Sequence, residues 1–367
     1  MKAAEAAYFN YQAIISNCQE LIFILFSAII YTMFLRNTLL IFALFAVAAT
    51  GASAQSPGTP QAAGVSNPAR EPRPIFPEAY FTDFLRTTAE RNTRQLYWAA
   101  TEAEFRAATP IESILLNNDI LAYYGHPNSR NMGILGRYSK EELNQRLTTL
   151  AAEYKTAGGR NVIKAFYLIF GTVWPAGEIG IIGEALLTEY IEFALANDML
   201  VFIDHQIGRY TPAESLRRML PWLRYPNVHL ALDPEWRTTR PMQEIGTVTA
   251  EEINEVQRIM EDYMIQNNIP GERLLVIHQF NWRMISHRER VVSNFSKVRL
   301  VLCADGFGTP NEKRESYAFN ARATNIPVKA FKLFYNFEIP GAGYDSPLLT
   351  PREVFALEPR PYIVMYQ

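Results

Sequence analysis

Between residues 120 and 366, short apolar runs alternate with longer amphipathic stretches. The runs are Ile120–Tyr124, Val162–Phe170, Leu200–Ile203, Val228–Leu232, Leu274–Ile277, Val298–Cys303, Val328–Phe334 and Tyr362–Tyr366. Each has strand length and is rich in β-branched, leucine or aromatic residues, so the pattern predicts eight strands. Helix starts are marked by a repeated phrase, Ser or Thr, two residues, then Glu. It occurs at Ser139/Glu142, Thr211/Glu214, Thr249/Glu252, Thr309/Glu312 and Thr350/Glu353. In such a capping box the hydroxyl and the carboxylate satisfy opposite orphan amides at a helix start. Several strands end in polar residues, as in IDHQ, LDPEW, IHQF and CADG. Strand, polar tip and capped helix, repeated to eight strands, predict an α/β chain with a single (β/α)8 TIM-type barrel over residues 120–367. An open doubly wound sheet would alternate in the same way, but it gathers its polar tips near one switch point, and here they run along the whole chain.

The first 119 residues follow other rules. Residues 77–107 place aromatic and apolar side chains at three- and four-residue spacing, which predicts an N-terminal helical extension over 76–119. Such an extension would lie under the barrel or take the place of a last helix. Residues 55–75 are rich in Pro, Gly, Ala and Ser and read as a flexible linker. Residues 1–54 read as a leader. Within it, residues 33–54 join a Met, an Arg, an apolar core and Ala52-Ser53-Ala54, the pattern of a cleaved signal peptide ending before Gln55. Residues 1–32 then read as a mis-annotated start, with Met33 the true one. The rival is a pair of membrane helices, Leu21–Phe34 and Leu39–Ala49, each shorter than the roughly 20 residues a bilayer needs. The expectation is an exported protein, periplasmic or extracellular, that meets the membrane only through a transient signal segment. It would be membrane-anchored if the leader were kept.

Charge narrows the partners. Lys and Arg total 35 against 37 Asp and Glu, a net charge of −2. Without a basic stripe, nucleic acid is not an expected partner. The chain has two cysteines. Cys18 would leave with the leader, and Cys303 lies in an apolar strand and reads as a packing residue. The loop Gly125–Gly136 lacks both phosphate-loop orders and reads as an ordered rim loop. No G-x-S-x-G elbow is present. Lys313-Arg314-Glu315 reads as a solvated helix face. Nothing in the chain calls for a cofactor.

The densest chemistry is Val228–Trp236, VHLALDPEW. Strand alternation puts His229, Ala231 and Asp233 on one face and Leu230 and Leu232 on the other. The leucines suit the helix layer, so Asp233 should point into the barrel mouth, with Glu235 following. A pair of carboxyls on a barrel rim suits glycoside hydrolysis, one protonating the leaving oxygen and the other staying charged. A plainer reading has Asp233 capping the next turn and Glu235 pairing with Arg237 or Arg240. Neighbouring strand ends supply Asp204 and Asp305 as alternative second carboxylates. Substrate-binding candidates are Tyr124, His126, His205, Gln206, His278, Gln279, Lys332 and Tyr335, with Trp236 and Trp282 as stacking platforms. His205, His278, Asp233, Glu235 and Asp305 would also suit a metal, but no H-x-H or H-x-x-x-H pair occurs, so no residue is assigned as a ligand.

The string AYYGHPNSRNMGILG, followed by LVFIDHQIG and LDPEW, resembles a group of exported, mostly uncharacterised bacterial barrel-like proteins over about residues 120–367. LDPEW also resembles the strand-four D-x-E of chitinase-like and lysozyme-like glycoside hydrolases. That resemblance implies Glu235 as proton donor and Asp233 as its orienting partner. Chitinase-like barrels carry a further Asp two residues earlier, where this chain has Ala231. The expected function is therefore glycoside hydrolase-like processing of a carbohydrate or cell-wall glycan. A non-catalytic glycan- or peptide-binding barrel and a metal-dependent barrel hydrolase or isomerase remain as alternatives.

Overall fold

The structure, a computed structural model, describes residues 113–116 and 118–367. The expected leader, the linker and nearly all of the N-terminal extension lie outside the described residues. Eight parallel strands run β1 (Asn118–Gly125), β2 (Asn161–Val173), β3 (Leu200–Gln206), β4 (Val228–Asp233), β5 (Arg273–His278), β6 (Val298–Ala304), β7 (Val328–Leu333) and β8 (Ile363–Tyr366). Each pairs with its sequence neighbours, β8 pairs with β1, and β1 pairs with β2 from Asn118↔Asn161 to Gly125↔Leu168. The sheet is thus closed, a (β/α)8-type barrel, and the open-sheet alternative is excluded.

Six α-helices lie in the connections: α1 (Lys140–Gly158), α2 (Glu184–Ala196), α3 (Pro212–Met219), α4 (Ala250–Gln266), α5 (Pro310–Ala321) and α6 (Pro351–Phe355). The β5–β6 connection departs from the pattern, with two 3-10 turns, Trp282–Met284 and Arg288–Arg290, instead of an α-helix. A small parallel pair, Val248–Thr249 with Ile285–Ser286, ties the loop after β4 to the loop after β5. No helix of the described residues is long and apolar enough to cross a membrane.

All five expected phrases cap a helix. Thr211, Thr249, Thr309 and Thr350 form complete boxes. Ser139 forms half of one: its hydroxyl accepts from the Glu142 amide at 3.2 Å, while the Glu142 carboxylate turns to Arg146 at 2.8 Å. A cap of this kind contributes about 1 kcal/mol.

Strand alternation sorts the core into two shells. Ala122, Ala165, Phe202, Ala231, Val276, Val301, Ala330 and Met365 fill the lumen. Leu121, Phe166, Ile203, Leu230, Ile277, Leu302 and Val364 face the helices. Over β8 and β1 the helix layer is completed by α1 and α6, where Tyr154 and Phe355 meet edge to face at 5.1 Å. The Tyr154 hydroxyl bonds that of Tyr366 at 2.8 Å. At the lower end of the barrel, Asp119 lies between Arg160 (3.2 Å) and Arg360, and Glu272 lies 3.2 Å from Arg299.

Candidate active site

Alternation carries one side chain from the top of most strands into the lumen: Tyr124 from β1, Tyr167 from β2, Asp204 from β3, Asp233 from β4, His278 from β5, Cys303 from β6 and Lys332 from β7. Asp305 follows β6 by one residue. All are buried, with Asp233 4 %, Lys332 5 % and Asp305 6 % exposed. The C-terminal ends of the strands therefore gather the chemistry, as in other barrels.

His278 is the hub. Its Nδ1 lies 3.0 Å from Asp305 Oδ2, and its Nε2 lies 2.8 Å from the Tyr167 hydroxyl and 3.6 Å from Asp204 Oδ2. Burial alone would lower its pKa. The Asp204 charge, the Asp305 hydrogen bond and the Cys303 contact overcome that and raise it well above the usual histidine value. The protonated ring is thus favoured, and in it both ring nitrogens donate. Tyr167 must then accept from Nε2, which leaves its own hydroxyl proton free to be given elsewhere.

Asp204 is pushed up by burial, against the pull of His278, Lys332 and the Tyr124 hydroxyl, which donates to Oδ2 at 3.0 Å. Asp233 is raised well above the carboxylate range, first by burial, with the negative charges of Glu235, Asp305 and Asp204 adding to it and His278 opposing. Its Oδ1 also accepts from the Glu235 amide at 3.1 Å, so the expected turn cap exists beside the chemical role. Glu235 and Trp236 stand half-buried on the 3-10 turn that follows.

Two buried carboxyl oxygens of the site end without partners. Asp204 Oδ1 and Asp305 Oδ1 accept no hydrogen bond. The Lys332 ammonium makes no hydrogen bond or ion pair with any described residue. It rests 3.7 Å above the Tyr124 ring and 5.1 Å from that of Phe334.

The backbone beneath Asp305 and Lys332 is fixed from outside. Lys313, on α5, donates to the carbonyls of Gly306 and Lys332 and lies 3.4 Å from Asp345. Asp345 accepts from the amides of Phe334 and Gly308, each at 3.0 Å. Lys313 is 1 % exposed, so the solvated face expected for Lys313-Arg314-Glu315 fails at its first residue.

Several sequence candidates lie elsewhere. His205 points into the helix layer between Phe170 and Tyr210, its Nδ1 donating to the Gln206 carbonyl at 2.8 Å. Burial holds its pKa down to about 4, so it is neutral. Gln279 also faces outward and accepts from Arg288 at 2.6 Å. Tyr335 stacks on Tyr366 at 5.1 Å in the outer layer. Gln206 accepts from the Val173 amide at 2.8 Å, sealing the end of β2. His126 is half-buried in the loop after β1, where it accepts from the Asn128 amide at 3.1 Å. That loop is ordered, as expected: Gly125 and Gly133 form an antiparallel bridge at positive φ, too close for any side chain. Trp282 is 64 % exposed on the loop after β5. Trp174, Phe307 and Tyr344, on the loops after β2, β6 and β7, are also exposed and share that end of the barrel. The sequence reading missed Tyr167, Lys313 and Asp345, and placed Cys303 in the packing without seeing that it touches His278. Among the described residues, no three His, Cys, Asp or Glu side chains converge in an arrangement that would hold a metal ion.

No protein-family model matches the sequence, and no curated protein matches it at a significant level. Solved structures resemble it distantly. A chitinase from Ipomoea carnea aligns over 67 % of this chain and 94 % of its own, at 9 % identity and a TM-score of 0.39. A broad-specificity GH5 endoglucanase from Clostridum cellulovorans aligns over 72 % and 86 %, at 10 % identity and 0.38. An oxaloacetate acetylhydrolase bound to oxalate aligns over 62 % and 79 %, at 14 % identity and 0.36.

Proposed function

We propose that the protein is an exported, glycoside hydrolase-like enzyme that processes a carbohydrate, with the two carboxyls at the end of β4 as its acid–base pair. The observation that carries this reading is Asp233, a nearly buried carboxyl at the barrel mouth whose pKa burial pushes well above the usual carboxylate range. Such a group is what a leaving glycosidic oxygen needs. Glu235, two residues on and half-buried, is the second carboxylate. The sequence resemblance assigns the proton to Glu235; burial favours the opposite division, with Asp233 as donor and Glu235 as base or charge stabiliser. The exposed aromatics on the surrounding loops would stack on sugar faces.

The test uses the full chain on a panel of oligosaccharides. Asp233→Asn is expected to lower turnover by about 10²–10⁴-fold while binding persists. Full turnover in both Asp233→Asn and Glu235→Gln would remove the reading. The depth of the lumen groups favours a second reading, a barrel that binds a glycan without cleaving it; binding with no cleavage of any glycan in the panel would select it. Export rests on residues 33–54 and predicts Gln55 as the N-terminus of the protein recovered outside the cytoplasm.

A further inference from the structure

The strongest unabsorbed group is His278, which is fully buried and so cannot itself meet a substrate. β4 pairs with β5 up to Leu232↔Ile277, so Asp233 and His278 are the next residues along adjacent strands. The imidazole is gripped at both nitrogens. Asp305 Oδ2 lies 3.0 Å from Nδ1, and the Tyr167 hydroxyl lies 2.8 Å from Nε2, with Asp204 Oδ2 at 3.6 Å. The rings of Tyr167 and Tyr124 meet it edge-on at 5.7 and 6.3 Å, and Cys303 is its register partner on β6. Neither nitrogen is left to receive a substrate group, so any part it plays is played through its neighbours.

Those neighbours carry charge from every side. Asp204 and Asp305 stand at the two nitrogens, Asp233 stands beside the ring, and Glu235 acts on Asp233 from beyond it. Lys332 rests over the Tyr124 ring, and Lys313, 3.4 Å from Asp345, lies behind Asp305. Tyr124, Tyr167 and Cys303 complete the titratable set, each pushed up by burial. We propose that His278 is a positioning residue of the acid–base step, holding a fixed positive charge beside Asp233 so that this carboxyl can release its proton to the leaving oxygen. This rests on the glycan reading above and adds the residue that tunes its acid. Burial and the carboxylates around Asp233 make it a reluctant acid, and His278 is the group that opposes them. A proton donor works best when its affinity lies near the working pH, so some of that reluctance has to be removed. The proton leaves Asp233 as the C–O bond breaks and its electron pair passes to the leaving oxygen. The negative charge left on Asp233 then faces the imidazolium, and water completes the hydrolysis.

The experiment records kcat/KM against pH for the full chain, for His278→Gln and for Tyr167→Phe, on an oligosaccharide that the unaltered protein cleaves. It is paired with an NMR titration of the aspartate carboxyls and histidine ring nitrogens without substrate. Removing the positive charge leaves burial unopposed, so the alkaline limb of His278→Gln is expected to move up by about 1 pH unit or more, with kcat reduced. Tyr167→Phe keeps every charge and removes one hydrogen bond, so its limb is expected to stay in place even if turnover falls. A His278→Gln limb that stays or moves down overturns the role, and so does a Tyr167→Phe limb that moves as far. The titration of the unaltered protein decides the matter even where His278→Gln does not fold. Both His278 nitrogens are expected to stay protonated over the range in which Asp233 titrates, and a neutral ring there overturns the role. Failure of the unaltered protein to cleave any oligosaccharide overturns the glycan reading instead, and the titration still decides the charge beside Asp233.

Discussion

Asp119 and Asp204 are both buried in the barrel wall and meet opposite surroundings. Asp119, near the start of β1, lies between two guanidinium groups, and Glu272 has Arg299 beside it in the same lower region. Asp204, at the end of β3, shares a single imidazole with Asp305. Burial holds its neighbour Asp233 well above the carboxylate range, and the Lys332 ammonium rests over the Tyr124 ring. The lower end answers each acid with an arginine. The upper end instead gathers Asp204, Asp233 and Asp305 around one imidazole, with no arginine of the described residues beside any of them. The difference teaches that the fold is secured from below and kept open to chemistry above.

The comparison can be broken most directly at its lower member. Asp119→Asn leaves two buried guanidinium groups facing a neutral amide and should lower the unfolding free energy by about 3–5 kcal/mol, measured by chemical denaturation. A similar loss is expected from Lys313→Met, which strands Asp345; if stability barely changes, the bracket beneath Asp305 and Lys332 is not holding them. Asp233→Asn should move the other way and raise the denaturation midpoint at neutral pH. Its folded pKa lies above the unfolded value, so its favourable contribution exists only at low pH and disappears as pH rises through the folded pKa. A lower midpoint for Asp233→Asn would erase the distinction between the two ends. His205 supplies a pH test in the helix layer. With a folded pKa of about 4 against an unfolded value near 6.5, it makes stability fall as pH drops through that interval, by roughly 3 kcal/mol at most. His205→Gln should flatten that slope in denaturation curves. Smallest, Thr309→Ala should remove about 1 kcal/mol through loss of a complete cap, and Ser139→Ala less, since Ser139 holds only half a box.

Much of this was legible in the chain. Eight apolar runs and five capping phrases placed the strands and helix starts because both depend on local periodicity and local hydrogen bonds. Asp233 was found by counting alternate residues from Leu230 and Leu232. The same counting on β3, where Phe202 and Asp204 face inward, would have turned His205 outward; its position at a strand end was read instead of its parity. Gln279, one residue beyond the inward His278, fails for the same reason. Tyr167 sits in a thirteen-residue strand buried over nearly its whole length, and nothing local separates it from Phe166. Lys313 was missed because the buried face of α5 is polar, made of Lys313, Tyr317 and Asn320, so hydrophobic periodicity points away from it.

The capped helix starts carry one more consequence. Helices of a barrel begin on the rim where the strands end, so their positive poles converge on the mouth and would draw anions in from a distance. Here Glu142, Glu214, Glu252, Glu312 and Glu353 each sit on such a pole, and α2 begins with Glu184. The poles are screened one by one, in a chain of net charge −2. Encounter with a ligand is therefore set by diffusion and contact, without long-range steering, and association rates should stay nearly flat from dilute buffer to sea-water salt.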